Sequence, residues 1–157
     1  MTNATDDPGE RRAAVTRAIM AETGIDEAMI AALVRSFYAR VQRDPLLGPI
    51  FAARVSDWDA HIEKLCAFWS SVALMTGRYH GQPMRMHLDL PVGEAHFDRW
   101  LALFEETATA LCPPAAVAHF MERARRIADS LEFGVATQQG RIASPRHQRG
   151  AMRKATG

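Results

Sequence analysis

The chain has 157 residues, 48% of them hydrophobic and 24% charged, which suits one globular domain with a core of its own. Two widely separated cysteines, Cys66 and Cys112, exclude a disulfide scaffold and a Cys-rich zinc module. The net charge of +1 hides a split: from Val135 onward there are five basic residues and no acidic one, so residues 1–134 carry 14 basic against 18 acidic.

In chain order, residues 1–9 read as disordered. Residues 10–23 read as a weak Ala-rich helix with Val15 and Ile19 at helical spacing. Neither resembles a signal peptide, and no apolar run approaches the roughly 20 residues of a membrane-spanning helix; the expected location is the cytoplasm. After Gly24, apolar side chains at Met29, Ile30, Leu33, Val34, Phe37, Tyr38 and Val41 fall on one helical face. Asp26 is its expected N-cap, and Asp44-Pro45 its stop. Pro45 to Phe51 is a compact apolar connector, expected to form at most a short helical turn.

The next helix is expected to start with Ser56 as cap and to end at Gly77. Its inward stripe is Trp58, His61, Ile62, Leu65, Trp69, Val72 and Ala73, with Phe68 at the edge. A histidine in an otherwise apolar stripe is unusual. Residues 78–93 read as irregular, with one or two helical turns between Pro83 and Pro91 that display His87 among Met84, Met86, Leu88 and Leu90. Two long helices follow. The first runs from about Glu94 to Leu111, with Phe97, Trp100, Leu101, Phe104, Ala108 and Leu111 inward. The second, after Pro113, turns Val117, Phe120, Met121, Ala124, Ile127 and Leu131 inward and closes at Gly134. Arg123, Arg125 and Arg126 read as its solvated face. The segment beyond Gly134 reads as a basic, disordered tail. No segment has the alternation of a strand.

Among six histidines, His147 falls in the tail, His80 in a loop, and His96 and His119 on helix surfaces. His61 and His87 stand apart, each readable as an ordinary core-edge histidine or as a ligand. A zinc site would need more ligands at suitable spacing. No Gly-rich phosphate loop and no Ser-His-Asp arrangement is present. The pairs Phe37/Tyr38, Phe68/Trp69 and Phe97/Trp100 recur on three successive helices. A buried tyrosine or tryptophan needs a partner for its polar end, so these aromatics with His61 suggest a lined pocket.

The ordered set Phe37-Tyr38, Asp44–Phe51 (DPLLGPIF), Trp58 with His61, Phe68-Trp69, Gly81-Gln82-Pro83 leading to His87-Leu88, and His96–Trp100 (HFDRW) resembles the group III truncated haemoglobins, a bacterial branch of the truncated globins. The resemblance runs from about Asp26 to Gly134. It implies an all-α truncated globin fold, a two-over-two helical sandwich around haem, over residues 26–134. Residues 1–25 would be an N-terminal extension and residues 135–157 a basic tail.

By that resemblance His87 is the proximal iron ligand, since haem iron needs one strong protein ligand. Tyr38, His61 and Trp100 match the distal positions. The haem pocket would comprise Phe37, Phe51, Leu65, Phe68, Trp69, Met84 and Arg85, with Arg78 and Tyr79 also near the haem carboxylates. Tyr38 O–H and Trp100 N–H would donate to a bound diatomic ligand, making both the expected catalytic groups, and His61 would bond the ligand or gate its entry. The cofactor would be haem b, held non-covalently, because no two-Cys attachment signature is present. The implied ligands are oxygen and nitric oxide. The implied chemistry is nitric oxide dioxygenation or peroxide-type oxidation with an external reductase; a gas-sensing or storage module is the alternative. A monomer or weak dimer is expected, with neither nucleic acid nor membrane as partner.

Overall fold

The computed structural model describes residues 7–141. Seven helices account for most of this span: α1 (Pro8–Thr23), α2 (Glu27–Arg43), α3 (Gly48–Arg54), α4 (Trp58–Leu74), α5 (Pro83–His87), α6 (Glu94–Leu111) and α7 (Pro114–Gln138). No strand occurs among the described residues. The core pairs are α2 with α4 and α6 with α7; α2 also packs on α6, and α4 on α7. This all-α, two-pair arrangement is that of a globin sandwich.

The N-terminal segment is better ordered than its composition suggests. Asp7 accepts from the backbone N–H of Gly9, Pro8 sits in the first turn, and Gly24 closes α1 in the left-handed region at φ 75°. Proline loses nothing at that position because its missing N–H has no helical partner there. The helix therefore starts at Pro8, inside the stretch expected to be disordered; residues 1–6 lie outside the described span. No α1 residue is buried. It is tied down through the Thr16 hydroxyl, which donates to the Leu74 carbonyl at 2.6 Å, and through packing on α4 and α7.

The α2 stripe is as the periodicity predicts: Ile30, Leu33, Val34, Phe37, Tyr38 and Val41 are buried, and Asp26 caps the helix by accepting from Met29 N–H at 2.8 Å. Of the apolar connector, residues 48–51 form the first turn of α3, which runs on beyond it to Arg54. It starts at a close approach: a Cβ on Gly48 would stand 2.8 Å from the Gln42 carbonyl oxygen.

Helix α4 is capped by Asp57 rather than Ser56, the carboxylate accepting from Ala60 N–H at 3.2 Å. It ends at Leu74 with Met75 in the left-handed region, two residues before Gly77. The C-terminus of a helix leaves carbonyls without intrahelical partners. Three consecutive ones are met by other helices: Val72 by Arg123 Nε at 3.2 Å, Ala73 by His119 Nε2 at 2.8 Å and Leu74 by Thr16. His119 and Arg123, expected on the solvated face of α7, are thus inter-helix donors. Cationic and N–H groups also suit the negative end of the helix dipole. His96 acts locally, its Nδ1 accepting from Gly93 N–H at the start of α6.

Two further differences concern α6 and α7. Leu111 is 47% exposed rather than inward, because the helix ends there. Helix α7 runs on to Gln138, past Gly134. The stripe continues through Leu131 to Val135, which is buried, and Gly134 serves instead as a contact point for α5. Residues 142–157 of the basic tail lie outside the described span.

Asp44 does more than end α2. Its carboxylate is almost wholly enclosed, with 2% of the side chain exposed. It accepts from Leu46 N–H at 3.1 Å, Leu47 N–H at 2.9 Å and Arg99 Nε at 2.7 Å, which joins the α2–α3 turn to α6. Burial alone would raise its pKa, but the Leu47 N–H, the Arg99 guanidinium and the Leu46 N–H outweigh it and hold the group below its ordinary 3.8. Asp44→Ala should cost about 1–3 kcal/mol, since it orphans the buried Leu47 N–H and takes the acceptor from the part-buried Leu46 N–H and Arg99. A carboxylate held low contributes stability above its unfolded pKa and loses it as pH falls through the folded one. Thermal melts should therefore separate wild type from variant at pH 7, and the gap should narrow below pH 4. An equal gap at both pH values would mean that the charge plays no part.

Candidate haem and ligand site

Three helices carry the expected distal residues. Tyr38 comes from the inner face of α2, His61 from the first turns of α4 and Trp100 from α6. Tyr38 is 4% exposed. The Trp100 indole N–H donates to its hydroxyl oxygen; burial, opposed by that bond, pushes the phenol up to about 12. Tyr38 therefore stays protonated at any ordinary pH, and its O–H remains to donate into the site. Its ring meets His61 edge-on at 6.2 Å, Phe51 at 5.8 Å and Trp58 at 6.3 Å. Phe51 and Trp58 stack at 6.1 Å, and Trp58 meets His61 edge-on at 5.6 Å. This aromatic box at the α3–α4 corner includes Trp58, to which the sequence pattern assigns no role beyond the inward stripe of α4.

His61 is half-buried. Its desolvation first, then the charges of Lys64 and His87, lower its pKa from 6.5, so it is neutral at pH 7.

His87 ends the five-residue α5. Its Nδ1 lies 2.6 Å from the Pro83 carbonyl oxygen. A carbonyl only accepts, so Nδ1 carries the proton and Nε2 of the neutral ring keeps its lone pair. A metal-ligating histidine has this arrangement: one nitrogen donates to a fixed acceptor, which sets the tautomer and leaves the other to bind. Helix α5 is seated against α7 where Gly134 has no side chain; a Cβ there would stand 2.3 Å from Met84 Sδ and 3.5 Å from Leu88 Cδ2. Met84, an expected pocket residue, is thus held at the α5–α7 contact. No local pattern announces this role for Gly134, which depends on what packs across from it.

The expected pocket residues separate into two layers. Phe51, Leu65, Phe68, Met84 and Trp100 are half-buried. Phe37 and Trp69 lie behind them, 0% and 1% exposed. Phe37 backs Trp100 edge-on at 5.5 Å, and Trp69 stacks on Phe104 at 4.9 Å, which in turn stacks on Trp100. They are core residues, packed behind the half-buried set. Phe68 meets Tyr79 edge-on at 5.2 Å. Arg85 is exposed on α5. Arg78 is engaged by Glu27 at 2.8 Å, within a cluster that includes the buried Ser70.

These residues fit a haem. Among the described residues, no group of three or more His, Cys, Asp or Glu side chains is placed to hold a bare metal ion. One oriented imidazole is nevertheless what haem iron asks of a protein. The half-exposed apolar side chains around His61 and His87 suit a large flat apolar ring, and the Tyr38–Trp100 pair supplies polar donors.

The fold and the site define a globin, and the chain belongs to the bacterial-like globin family, whose model matches residues 19–132. Within it, the similarity is to group III truncated haemoglobins. The group 3 truncated haemoglobin ctb of Campylobacter jejuni is 38% identical over 113 residues, covering 69% of this chain and 89% of that protein. The crystal structure of the group III truncated haemoglobin from Campylobacter jejuni matches with a TM-score of 0.64 and 37% identity, over 69% of this chain and 89% of that one. The group 2 truncated haemoglobin YjbI of Bacillus subtilis is 29% identical over 84 residues, 52% of this chain and 64% of that protein. Membership of the family implies a haem cofactor and small gas ligands. Among the described residues, no helix is long and apolar enough to cross a membrane.

Proposed function

We propose that this protein carries haem b without a covalent tie, binds oxygen and other diatomic gases, and performs redox chemistry on them, such as nitric oxide detoxification with an outside reductase. The observation that carries this reading is buried Tyr38 with Trp100 as its partner and His61 edge-on beside it, together with an imidazole, His87, whose Nδ1 is already committed to Pro83.

When bound, the haem supplies an iron centre that takes up a diatomic gas and exchanges electrons with it. The protein's own part follows from the side chains. His87 offers Nε2 as ligand, because its other nitrogen is held by the Pro83 carbonyl. Tyr38, its phenol raised to about 12 by burial, keeps its proton on Oη and so has an O–H to offer a bound ligand. A donor fixed before the ligand arrives stabilises developing negative charge without reorganisation. Phe51 and Trp58 pack against the Tyr38 ring. His61, half-buried with its pKa lowered by desolvation, meets both Tyr38 and Trp58 edge-on. Cys66 lies on α4 and Cys112 caps the end of α6, and neither belongs to an attachment motif, which supports non-covalent binding.

The test is nitric oxide consumption by the haem-loaded protein under turnover with an added reductant. Consumption well above that of free haemin is expected. A rate equal to that of free haemin overturns the redox reading.

A further inference from the structure

The proximal segment is short. Helix α5 has five residues and no side-chain cap at its start, and a single helical turn is marginal by itself. On the α7 side it is seated where its Met84 packs over Gly134. From the other side, one side chain of α3 reaches it twice. Arg54 Nη1 donates to the Met86 carbonyl at 3.2 Å, and Arg54 Nη2 pairs with Asp89 at 3.1 Å. These two positions bracket His87: Met86 immediately precedes it and Asp89 follows by two. Between α3 and the segment after α5 runs a groove of about 230 Å³, lined by Pro49, Ile50, Ala53, Arg54, Leu90 and Pro91. Apolar packing does not close this gap, so the Arg54 fork is the polar link across it.

The geometry points to Arg54 as a positioning residue for His87, acting through the Met86 carbonyl and Asp89; this rests on the reading of His87 as the iron ligand. A guanidinium suits this position because its planar fork can serve a carbonyl and a carboxylate from separate nitrogens, whereas an ammonium is a point charge. The same residue sits three positions after Phe51, so it links the aromatic corner to the segment that carries His87. Exposed pairs are worth little individually. The consequence is therefore one of orientation rather than global stability.

The experiment compares wild type with Arg54→Ala, Arg54→Lys and Asp89→Asn in the haem-loaded full chain, with three readouts. Resonance Raman of the ferrous protein reports the iron–histidine stretch. Amide hydrogen exchange reports residues 84–90. Thermal melts report global folding. Arg54→Ala should shift and broaden the iron–histidine band and speed exchange by about tenfold, while the melt moves little. Arg54→Lys should fall between, and Asp89→Asn, which keeps the carbonyl bond, should show the smaller change. If Arg54→Ala lowers the melt strongly, the lysine and Asp89→Asn variants carry the comparison. A wild-type band and wild-type exchange in all three variants overturn the positioning role. Absence of any iron–histidine band in wild type overturns the assignment of His87 itself, and the positioning of a ligand with it; only in that case does the failure appear before any substitution.

Discussion

Replacing His87 with alanine should abolish stable haem retention. The imidazole is the one strong ligand the site offers, and its tautomer is set by the 2.6 Å contact with Pro83. Loss of mere outer partners of a metal ligand costs about 10–100-fold in affinity, so loss of the ligand itself should accelerate haem transfer to a haem-free acceptor by more than about a hundredfold. Added imidazole should restore binding in part, because it supplies the missing nitrogen. Helical content should be unchanged, since His87 ends a five-residue helix that contributes nothing fully buried to the core. Haem transfer at the wild-type rate would remove His87 from the iron.

The second large effect concerns Tyr38. Tyr38→Phe keeps the ring packing against Phe37, Phe51 and His61 and deletes only the hydroxyl. A hydrogen bond to a charged group contributes roughly 1.5–3 kcal/mol, so oxygen should dissociate from the haem-loaded protein about ten- to a hundredfold faster. The Trp100 N–H loses its acceptor in the same variant and becomes free to turn toward the ligand. The Tyr38→Phe/Trp100→Phe double variant should therefore release oxygen faster than the two single effects combine to predict. The phenol is raised to about 12, so its donor persists and the wild-type rate should stay flat from pH 6 to 10 as far as Tyr38 governs it. Stopped-flow measurement of oxygen release checks all three statements, and an unchanged rate in Tyr38→Phe excludes the hydroxyl from the ligand network.

The helical skeleton was legible because its causes are local. The α2 stripe from Ile30 to Val41 is a matter of 3.6-residue spacing, and the Asp26 cap is an interaction with a residue three places on. The distal set was legible as an ordered series of residue types, Tyr38, His61 and Trp100, through resemblance to a family; the spacing alone left His61 and His87 open between core and ligand. The choice of Ser56 over Asp57 as cap shows the limit even of local signals, since adjacent residues both had capping side chains.

What depended on long-range contact was not legible. His119 and Arg123 looked like surface residues of α7, yet the open carbonyls they meet belong to α4, about fifty positions away in sequence. Asp44 looked like a helix stop, and its Arg99 partner lies on α6. Gly134 looked like a terminator because glycine ends helices by its conformational freedom, but here its lack of a side chain admits Met84. Arg54 carried no signal, since neither Met86 nor Asp89 is near it in the chain.

The sequence by itself determined where the helices form, which faces turn inward, and which aromatic and imidazole side chains are available to a site. These follow from periodicity, capping and residue chemistry, each settled within a few residues. The tertiary structure alone decided which of those side chains stay half-exposed and which are fully buried behind them, as Phe37 and Trp69 are. It also decided that α5 is wedged between Gly134 and Arg54. Packing and hydrogen bonding between distant segments depend on how whole helices cross, and no local window of sequence contains that information.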